Sequence, residues 1–509
     1  MLTRALVLIC AVGLAACAQL QPRADLPIET AVPPGTGSNL DTIVEPIEAA
    51  HVGESGFRLV SDGREAFALR YRSAEVADRS IDVQTYIWHA DTTGLALAAQ
   101  LLAAADRGVQ VRLLVDDLDA RAKNAGFAAL AAHPNIAVRL FNPFASREGK
   151  LAFLGEATTN FRRINRRMHN KSWIADNRFA MVGGRNLGNE YFGASDEANF
   201  DDLDFALLGD VVRDVSASFD RFWNSPQAYP VEFIDAESVT DDNLARLRIN
   251  LDTAAAEARI GWYAKALADS ELVRQLGTGQ WPLIWTARYT FVSDVPAKVT
   301  GELGEDASNV GKTLFPAMRG AAHDLTVISP YFVPGDRGAA ALVDLAEAGT
   351  MVRILTNSLA ANDVAAVHGG YAARRKTLLE GGVALYEIKP TGGNQVPMSL
   401  RGSSGAALHT KALSIDGERL FVGSYNLDPR STSLNCEQGV LVDSDALAQE
   451  FETLFADLTA GNRAWNVAIV DGDLNWSDGQ ETRDSEPDAT FGRRFQAWFA
   501  RVFHLESQL

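Results

Sequence analysis

Two short stretches of this chain carry the same three residues at the same spacing. His169, Lys171 and Asp176 form one set, and His409, Lys411 and Asp416 form the other. An imidazole can attack an electrophile or carry a proton, and an ammonium can hold an anion. Two imidazoles suit a double displacement. One attacks and forms a covalent intermediate, while the other protonates the leaving group and later deprotonates the incoming one. Lysines and nearby amides can bind non-bridging phosphate oxygens and stabilise the charge that builds there. The pattern therefore points to phosphoryl transfer. The residues alone leave open which histidine attacks. Lysine is a poor metal ligand and no Cys-rich or carboxylate-rich cluster accompanies the motifs, so the chemistry calls for no metal and no other cofactor. The chain has only eight histidines and nine lysines, which makes an accidental repeat of the pattern rare.

Each motif needs an element to present it. Residues at i and i+2 of an extended strand face the same way, so each His and its Lys share a face. Asp416-Gly417 is a tight-turn pair and Asp176-Asn177 is a near equivalent. Each motif thus reads as the first strand of a hairpin, with its Asp assigned mainly to holding the turn. The returning strands reach Gly183-Gly184-Arg185-Asn186 and Gly423-Ser424-Tyr425-Asn426. Small residues keep the backbone open there, and Asn186, Asn426 and Ser424 are the supporting polar groups.

The surroundings repeat as well. Ile81 to Trp88 alternates like a strand, Leu95 to Arg107 is an Ala/Leu-rich helix, and Val109 to Val115 is a second strand ending in Asp116-Asp117. In the other half the same order runs through Leu325 to Val333, Ala339 to Ala348 and Met351 to Leu355, ending in Asn357-Ser358. Arg112 and Arg353 are separated by nearly the offset that separates the two histidines. The fold expected is a duplicated α/β unit: two pseudo-symmetric halves, each a mixed sheet flanked by helices, with one site at their interface.

At 509 residues, two domains or two fused halves are expected. A formal net charge of −18 disfavours a nucleic-acid partner. Of three cysteines, only Cys436 lies in the body, so no internal disulfide framework is possible there. Arg162, Arg163, Arg166 and Arg167 make a local basic patch before the first motif, and Arg166 and Arg167 are candidates to receive a substrate phosphate. The bland reading is a solvated loop paired to nearby Glu.

At the two His-x-Lys-x4-Asp motifs the sequence resembles the phospholipase D superfamily. Tyr86-Ile87-Trp88, Phe141-Asn142-Pro143-Phe144, Asn165 to Ser172, Val182 to Asn186, Thr356 to Ala365 and Gly423 to Ser431 resemble the bacterial cardiolipin synthase C group. The resemblance covers roughly residues 55 to 480. It implies a phosphohistidine on His169, with His409 as acid and base. It also implies an acidic residue behind each histidine, for which Asp204 and Glu437 are the candidates, and it offers His368 as a pocket residue. Implied partners are membrane phospholipids, phosphatidylglycerol and phosphatidylethanolamine, and the implied activity is phosphatidyl transfer giving cardiolipin. The alternatives are hydrolysis of phospholipid head groups to phosphatidic acid and, less favoured, nuclease action.

The ends read as follows. Arg4 and the apolar run Ala5 to Ala16 form a signal peptide, and Leu14-Ala15-Ala16-Cys17 resembles a lipobox, making Cys17 the lipidated residue. The expected location is the bacterial cell envelope, on the periplasmic side, with the outer membrane favoured by Ala18. Secretion and inner-membrane association are the alternatives. The expected layout is a signal peptide at 1–17, a flexible linker at 18–45 and a first half at 46–230. A helical connection follows at 231–300, a second half at 301–470 and a tail at 471–509. That tail interleaves Phe491, Arg493, Arg494, Phe495, Trp498 and Phe499, which suits either a membrane interface or a helix docked on the body.

Overall fold

The computed structural model describes residues 23 to 502, apart from 24, 122, 146–155, 157–159, 197, 261–274, 276–281, 305–306, 363 and 391–407. The signal peptide and Cys17 lie outside the described residues. Two sheets dominate. The strands of the first are β1 (Ser55–Val60), β2 (Ser80–Thr85), β3 (Gln110–Asp116), β4 (Ile136–Phe141), β5 (Ser172–Ala175), β6 (Phe179–Gly183), β7 (Asp204–Gly209), β8 (Ala228–Pro230) and β9 (Ile284–Thr286). Those of the second are β10 (Tyr289–Ser293), β11 (Asp324–Ile328), β12 (Met351–Asn357), β13 (Ala384–Ile388), β14 (Ala412–Ile415) and β15 (Arg419–Gly423). They continue with β16 (Gln438–Asp443), β17 (Ala464–Val470), β18 (Asp473–Ser477) and β19 (Thr482–Arg483).

The spatial orders are β8-β4-β3-β2-β5-β6-β7-β1-β9 and β10-β16-β15-β14-β11-β12-β13-β17-β18-β19. Read from opposite ends, β8 through β1 matches β17 through β10 strand for strand, so the chain is a duplicated α/β unit. In each half two parallel ladders (β2-β3-β4 and β11-β12-β13) join an antiparallel hairpin through β2-β5 or β11-β14. Every residue of β2 is buried, because layers cover both faces. Its charged member Asp82 accepts from Arg112 Nε and Nη2, each at 2.7 Å. Arg112 also meets Asp220 on the helix Asp210–Trp223, as Arg353 meets Glu452 on the helix Asp445–Leu458. The repeated arginines thus tie equivalent strands to equivalent helices.

The two halves share one buried apolar cluster, holding Phe57, Phe141, Ile174, Phe205 and Trp223 from the first and Ile328, Leu355, Leu420, Val440 and Phe451 from the second. Burying such side chains in common is what fixes one half against the other.

The expected layout needs three corrections. From Arg23 onward the segment read as a flexible linker is docked. Glu29 holds Arg139 at 2.6 Å and the Trp223 indole at 3.0 Å, and the helix Asn39–Ala49 follows within the same span. Arg139, otherwise a buried cation, recruits that segment. The connection at 231–300 holds the helix Asp241–Ile260 but ends in two strands, β9 and β10, which cap the two sheets. The tail begins with β18 and β19, which extend the second sheet before the helix Phe491–Val502. No helix among the described residues is long and apolar enough to cross a membrane.

Candidate active site

Each motif begins just before its hairpin, where the chain crosses to the other half. Met168 pairs with Cys436 in an isolated bridge, and the His169 N–H donates to the Cys436 carbonyl at 2.8 Å. Leu408 pairs with Asp201, and the His409 N–H donates to the Asp201 carbonyl, also at 2.8 Å. The last residues of two parallel strands hold these crossings. Asp116 accepts the Met168 N–H at 2.8 Å, and Asn357 both accepts from Leu408 N–H and donates to its carbonyl. Both histidines therefore stand at the C-terminal edge of the parallel strands, within each other's electrostatic reach.

The carboxylates that orient them are exchanged between halves. Glu437 Oε2, from the second half, lies 2.9 Å from His169 Nδ1. Asp202 Oδ2, from the first, lies 2.6 Å from His409 Nδ1. Glu437 also accepts from Ser424 Oγ at 2.5 Å and Ser431 Oγ at 3.1 Å. Burial raises its pKa, but the His169 charge and hydrogen bond, with Lys171 and Ser424, outweigh that and hold it below the usual value. An ionised carboxylate only accepts, so His169 Nδ1 carries the proton and Nε2 keeps its lone pair. Burial lowers the His169 pKa against the pull of Glu437. Burial together with Lys411 and Lys171 puts the His409 pKa well below the ordinary value, and burial raises that of Asp202.

The lysines lie beside the imidazoles. Lys171 Nζ donates to the His169 carbonyl at 2.7 Å, and Lys411 Nζ donates to that of His409. Burial lowers the Lys171 pKa to about 7, with Glu437 opposing and Lys411 assisting. Aromatic walls bracket the pair: Tyr86 is edge-on to His169 at 5.1 Å, Tyr191 is edge-on to His409 at 5.3 Å, and Phe200 stacks on His409 at 5.5 Å. The arrangement holds two imidazoles, two lysine amines and two fixed carboxylates in one largely buried cluster.

Other expected site residues stand apart from the imidazoles. Asp176 and Asp416 lie at the far ends of the hairpins, roughly 20 Å along each strand from its histidine at about 3.3 Å per residue. Both have φ above zero (51° and 56°), as a type I′ turn requires. Asp176 accepts from the N–H groups of Asp78, Arg79 and Ser80, and Asp416 from those of Ala322, His323 and Asp324. They tie each turn to the start of β2 or β11 and do not touch the reacting groups. Asn186 is occupied by Ile87 N–H and the Tyr191 hydroxyl, whereas the buried Asn426 Oδ1 has no hydrogen-bond partner among the described residues.

Four assignments change. Asp204 serves neither histidine, for its carboxylate is taken by Arg70 at 2.9 Å and Arg185 at 3.3 Å. Asp202 fills the role instead. Arg167 is buried against Asp116 and the carbonyls of Phe141 and Asn142, so its Nε and Nη2 brace the loop rather than standing open to a phosphate. Arg166 donates to the Lys298 and Ser433 carbonyls, and Arg163 pairs with Glu156. The patch is thus largely structural. His368 is buried with Arg375 and Glu486 beneath the C-terminal helix, and its described contacts reach neither motif.

A family model described as "Cardiolipin synthase, PLD-like domain" matches residues 72–223 and 314–459. These segments carry both hairpins and both carboxylates. The chain belongs to the phospholipase D superfamily, in its cardiolipin synthase branch. It is 41% identical to cardiolipin synthase C of Escherichia coli (strain K12) over 476 residues, 92% of this chain and 99% of that one. An uncharacterized protein of Helicobacter pylori (strain J99) is 30% identical over 451 residues, 87% of this chain and 88% of that protein. The crystal structure of a phosphatidylserine synthase from Haemophilus influenzae superposes with a TM-score of 0.58 at 13% identity, covering 92% of this chain and 100% of that one, a likeness of fold.

Within this phospholipase D-type site, sequence reasoning missed Asp202, the brace Asp116 and the ring of Phe200. A signal for Asp202 exists in the strand register. Gly183 pairs with Asp204 and Gly423 with Gly439, so Asp204 is the counterpart of Gly439 and Asp202 that of Glu437. Three acids within four positions hide this until the ladder is known.

Proposed function

We propose that this phospholipase D-family phosphatidyltransferase forms cardiolipin by two displacements at one phosphorus, with the phosphatidyl group carried on His169. In the first, His169 Nε2 bonds to phosphorus, the bond to the head-group oxygen breaks, and His409 gives that oxygen a proton. In the second, His409 takes the proton from a phosphatidylglycerol hydroxyl, whose oxygen attacks phosphorus as the P–N bond breaks. Lys171 and Lys411 hold the non-bridging oxygens throughout.

The observation that carries the assignment is the pair of exchanged carboxylates. Glu437, ionised and satisfied by two serines, keeps the lone pair of His169 available for attack. Asp202 Oδ2 engages His409 Nδ1 at 2.6 Å, which leaves Nε2 as the atom that gives a proton to the leaving oxygen and then regains one from the incoming hydroxyl. Similarity to cardiolipin synthase C over nearly both full lengths supports a lipid hydroxyl rather than water as acceptor. The test is product analysis in mixed micelles of phosphatidylglycerol and phosphatidylethanolamine. Cardiolipin is expected, and phosphatidic acid alone would overturn the synthase reading.

The proposal extends to location. Cys17 carries an acyl anchor on the periplasmic side of the envelope, supported by the Leu14-Ala15-Ala16-Cys17 sequence. Metabolic labelling with a fatty acid should mark the protein and be lost in Cys17→Ser.

A further inference from the structure

The helix Phe491–Val502 presents its faces in an unusual order. Its polar Arg493 and small Ala497 point inward, while Phe491, Phe495, Trp498 and Phe499 are 85%, 51%, 48% and 42% exposed. The inner face is built to dock. Arg493 donates to the Leu359 carbonyl at 3.2 Å and to that of Asn362. Gly369 lies so close to the Ala497 backbone that an added Cβ would stand 2.4 Å from its carbonyl oxygen. Ala497 joins Leu359 and Ala365 in a small buried cluster. The outer face is an aromatic stripe at helical spacing, with Phe495 in ring contact with both Trp498 and Phe499. An exposed aromatic cluster of this kind is a surface that expects an occupant.

Two further facts select that occupant. From Phe491 to Val502 the sequence has no carboxylate, in a chain of net charge −18, and Arg493 is spent on the inward contacts. Arg494 stands exposed beside the aromatic stripe. Aromatic rings that bury into acyl and head-group layers, flanked by cations, match an anionic bilayer surface. The helix is also tied to the cleft. It rests on Leu359 and Asn362, in the loop that follows Asn357, and Asn357 holds the backbone of Leu408 immediately before His409. The helix therefore docks beside the C-terminal edge of β12, the edge that also positions His409.

We propose that this helix is the enzyme's docking surface for an anionic phospholipid bilayer, placing the cleft mouth against the membrane that supplies its substrate. The proposal rests on the phospholipid reading above but is tested apart from it. The probes are the full chain carrying Cys17→Ser, the same chain with Phe495→Ser, Trp498→Ser and Phe499→Ser added, and a Trp498→Phe chain. The ligands are vesicles of phosphatidylglycerol and phosphatidylethanolamine, with and without brominated acyl chains, and a short-chain phosphatidylglycerol below its micelle concentration. The triple variant should bind vesicles about tenfold or more weaker. Its turnover on vesicles should fall in step, while turnover on the monomeric lipid stays within about twofold. Brominated acyl chains should quench a share of the fluorescence that is missing in Trp498→Phe. Unchanged vesicle binding, or no Trp498-dependent quenching, would overturn the proposal. So would a wild-type dimer that the triple variant turns into a monomer without loss of vesicle binding, since the occupant would then be a second copy. Loss of turnover on both lipid forms would place the stripe in folding, which the thermal midpoint of the variant would register. If the phospholipid reading failed instead, neither lipid would turn over in the parent chain, whatever its vesicle binding.

Discussion

Glu437 reaches out of the second half of the molecule to hold His169 of the first at 2.9 Å. Asp202 makes the reciprocal contact with His409. Neither half therefore contains both members of a histidine–carboxylate pair. The shared core and the site depend on each other, because sliding one half against the other would separate both pairs.

Removing the charge of either carboxylate tests this exchange. Glu437→Gln and Asp202→Asn should each lower kcat by about 10²–10⁴, since the imidazole loses its tautomer and orientation, as in triads of this logic. Steady-state turnover with a check of the thermal midpoint measures it. Asp204→Asn should behave otherwise. It loosens Arg70 and Arg185 and lowers stability, with a smaller effect on turnover of the folded enzyme.

The histidines should separate by the step they block. Under the proposed mechanism His169→Ala removes the nucleophile and His409→Ala removes the proton carrier, and each should lower turnover by about 10³-fold or more. Only the chain that keeps His169 should acquire a phosphatidyl adduct, from a donor whose leaving group needs no proton. Mass spectrometry of a peptide containing residue 169 reads the outcome. An adduct on His409 in the His169→Ala chain would reverse the assignment.

Lys171 supplies a pH dependence with a definite sign. Its pKa is pushed down to about 7 by burial, so the ammonium proposed to hold phosphate is lost as pH rises through that value. kcat/KM should therefore fall on the alkaline side of about pH 7, and Lys171→Met should lack that limb while being nearly inactive. Stability runs the other way. The unfolded chain keeps this lysine charged up to the ordinary value, so it binds more protons than the native state between about 7 and 10.5, and stability gains across that window. Below about 7 the buried charge is a burden, and Lys171→Met should raise the thermal midpoint there.

Much of this was legible in the sequence. The motifs, the two hairpins, the strand–helix–strand repeat and the halves all rest on local spacing, and local spacing survives translation into structure. What failed rests on partners distant in the chain. Arg167 resembled a phosphate ligand until Asp116, on another strand, was seen to occupy it. The segment before residue 45 resembled a tether because Pro and Gly say nothing about Arg139 and Trp223, which fasten it. The choice between Asp202 and Asp204 needs the pairing of β6 with β7, and two residues of register decide it.

The hairpin aspartates should act on stability rather than chemistry. Asp176 is fully buried and accepts three backbone N–H groups. Asp176→Ala leaves those donors unsatisfied and places alanine at positive φ, so it should destabilise by about 1–3 kcal/mol or more. The kcat of the remaining folded enzyme should stay within about threefold. Denaturant unfolding beside turnover per folded molecule separates the two, and a kcat loss comparable to that of His169→Ala would assign Asp176 to the chemistry.

Gly184 and Ser424 occupy equivalent places behind the two carboxylates, and the difference between them is explained by the length of each acid. Glu437 reaches far enough for a serine hydroxyl to stand beside it and donate at 2.5 Å. Asp202 is one methylene shorter and lies where a Cβ on residue 184 would meet its Oδ1 at 2.1 Å. A side chain there must displace the carboxylate, which disturbs both the Leu203 N–H bond to Oδ1 and the 2.6 Å contact of Oδ2 with His409. Gly184→Ala should therefore lower kcat by about 10²-fold and shift the pH limb belonging to His409, with a modest change in KM. Ser424→Ala removes one donor from Glu437 and adds no bulk, so its loss should be nearer tenfold. Should Gly184→Ala retain full activity and an unmoved pH profile, the positioning of His409 by Asp202 would not govern turnover.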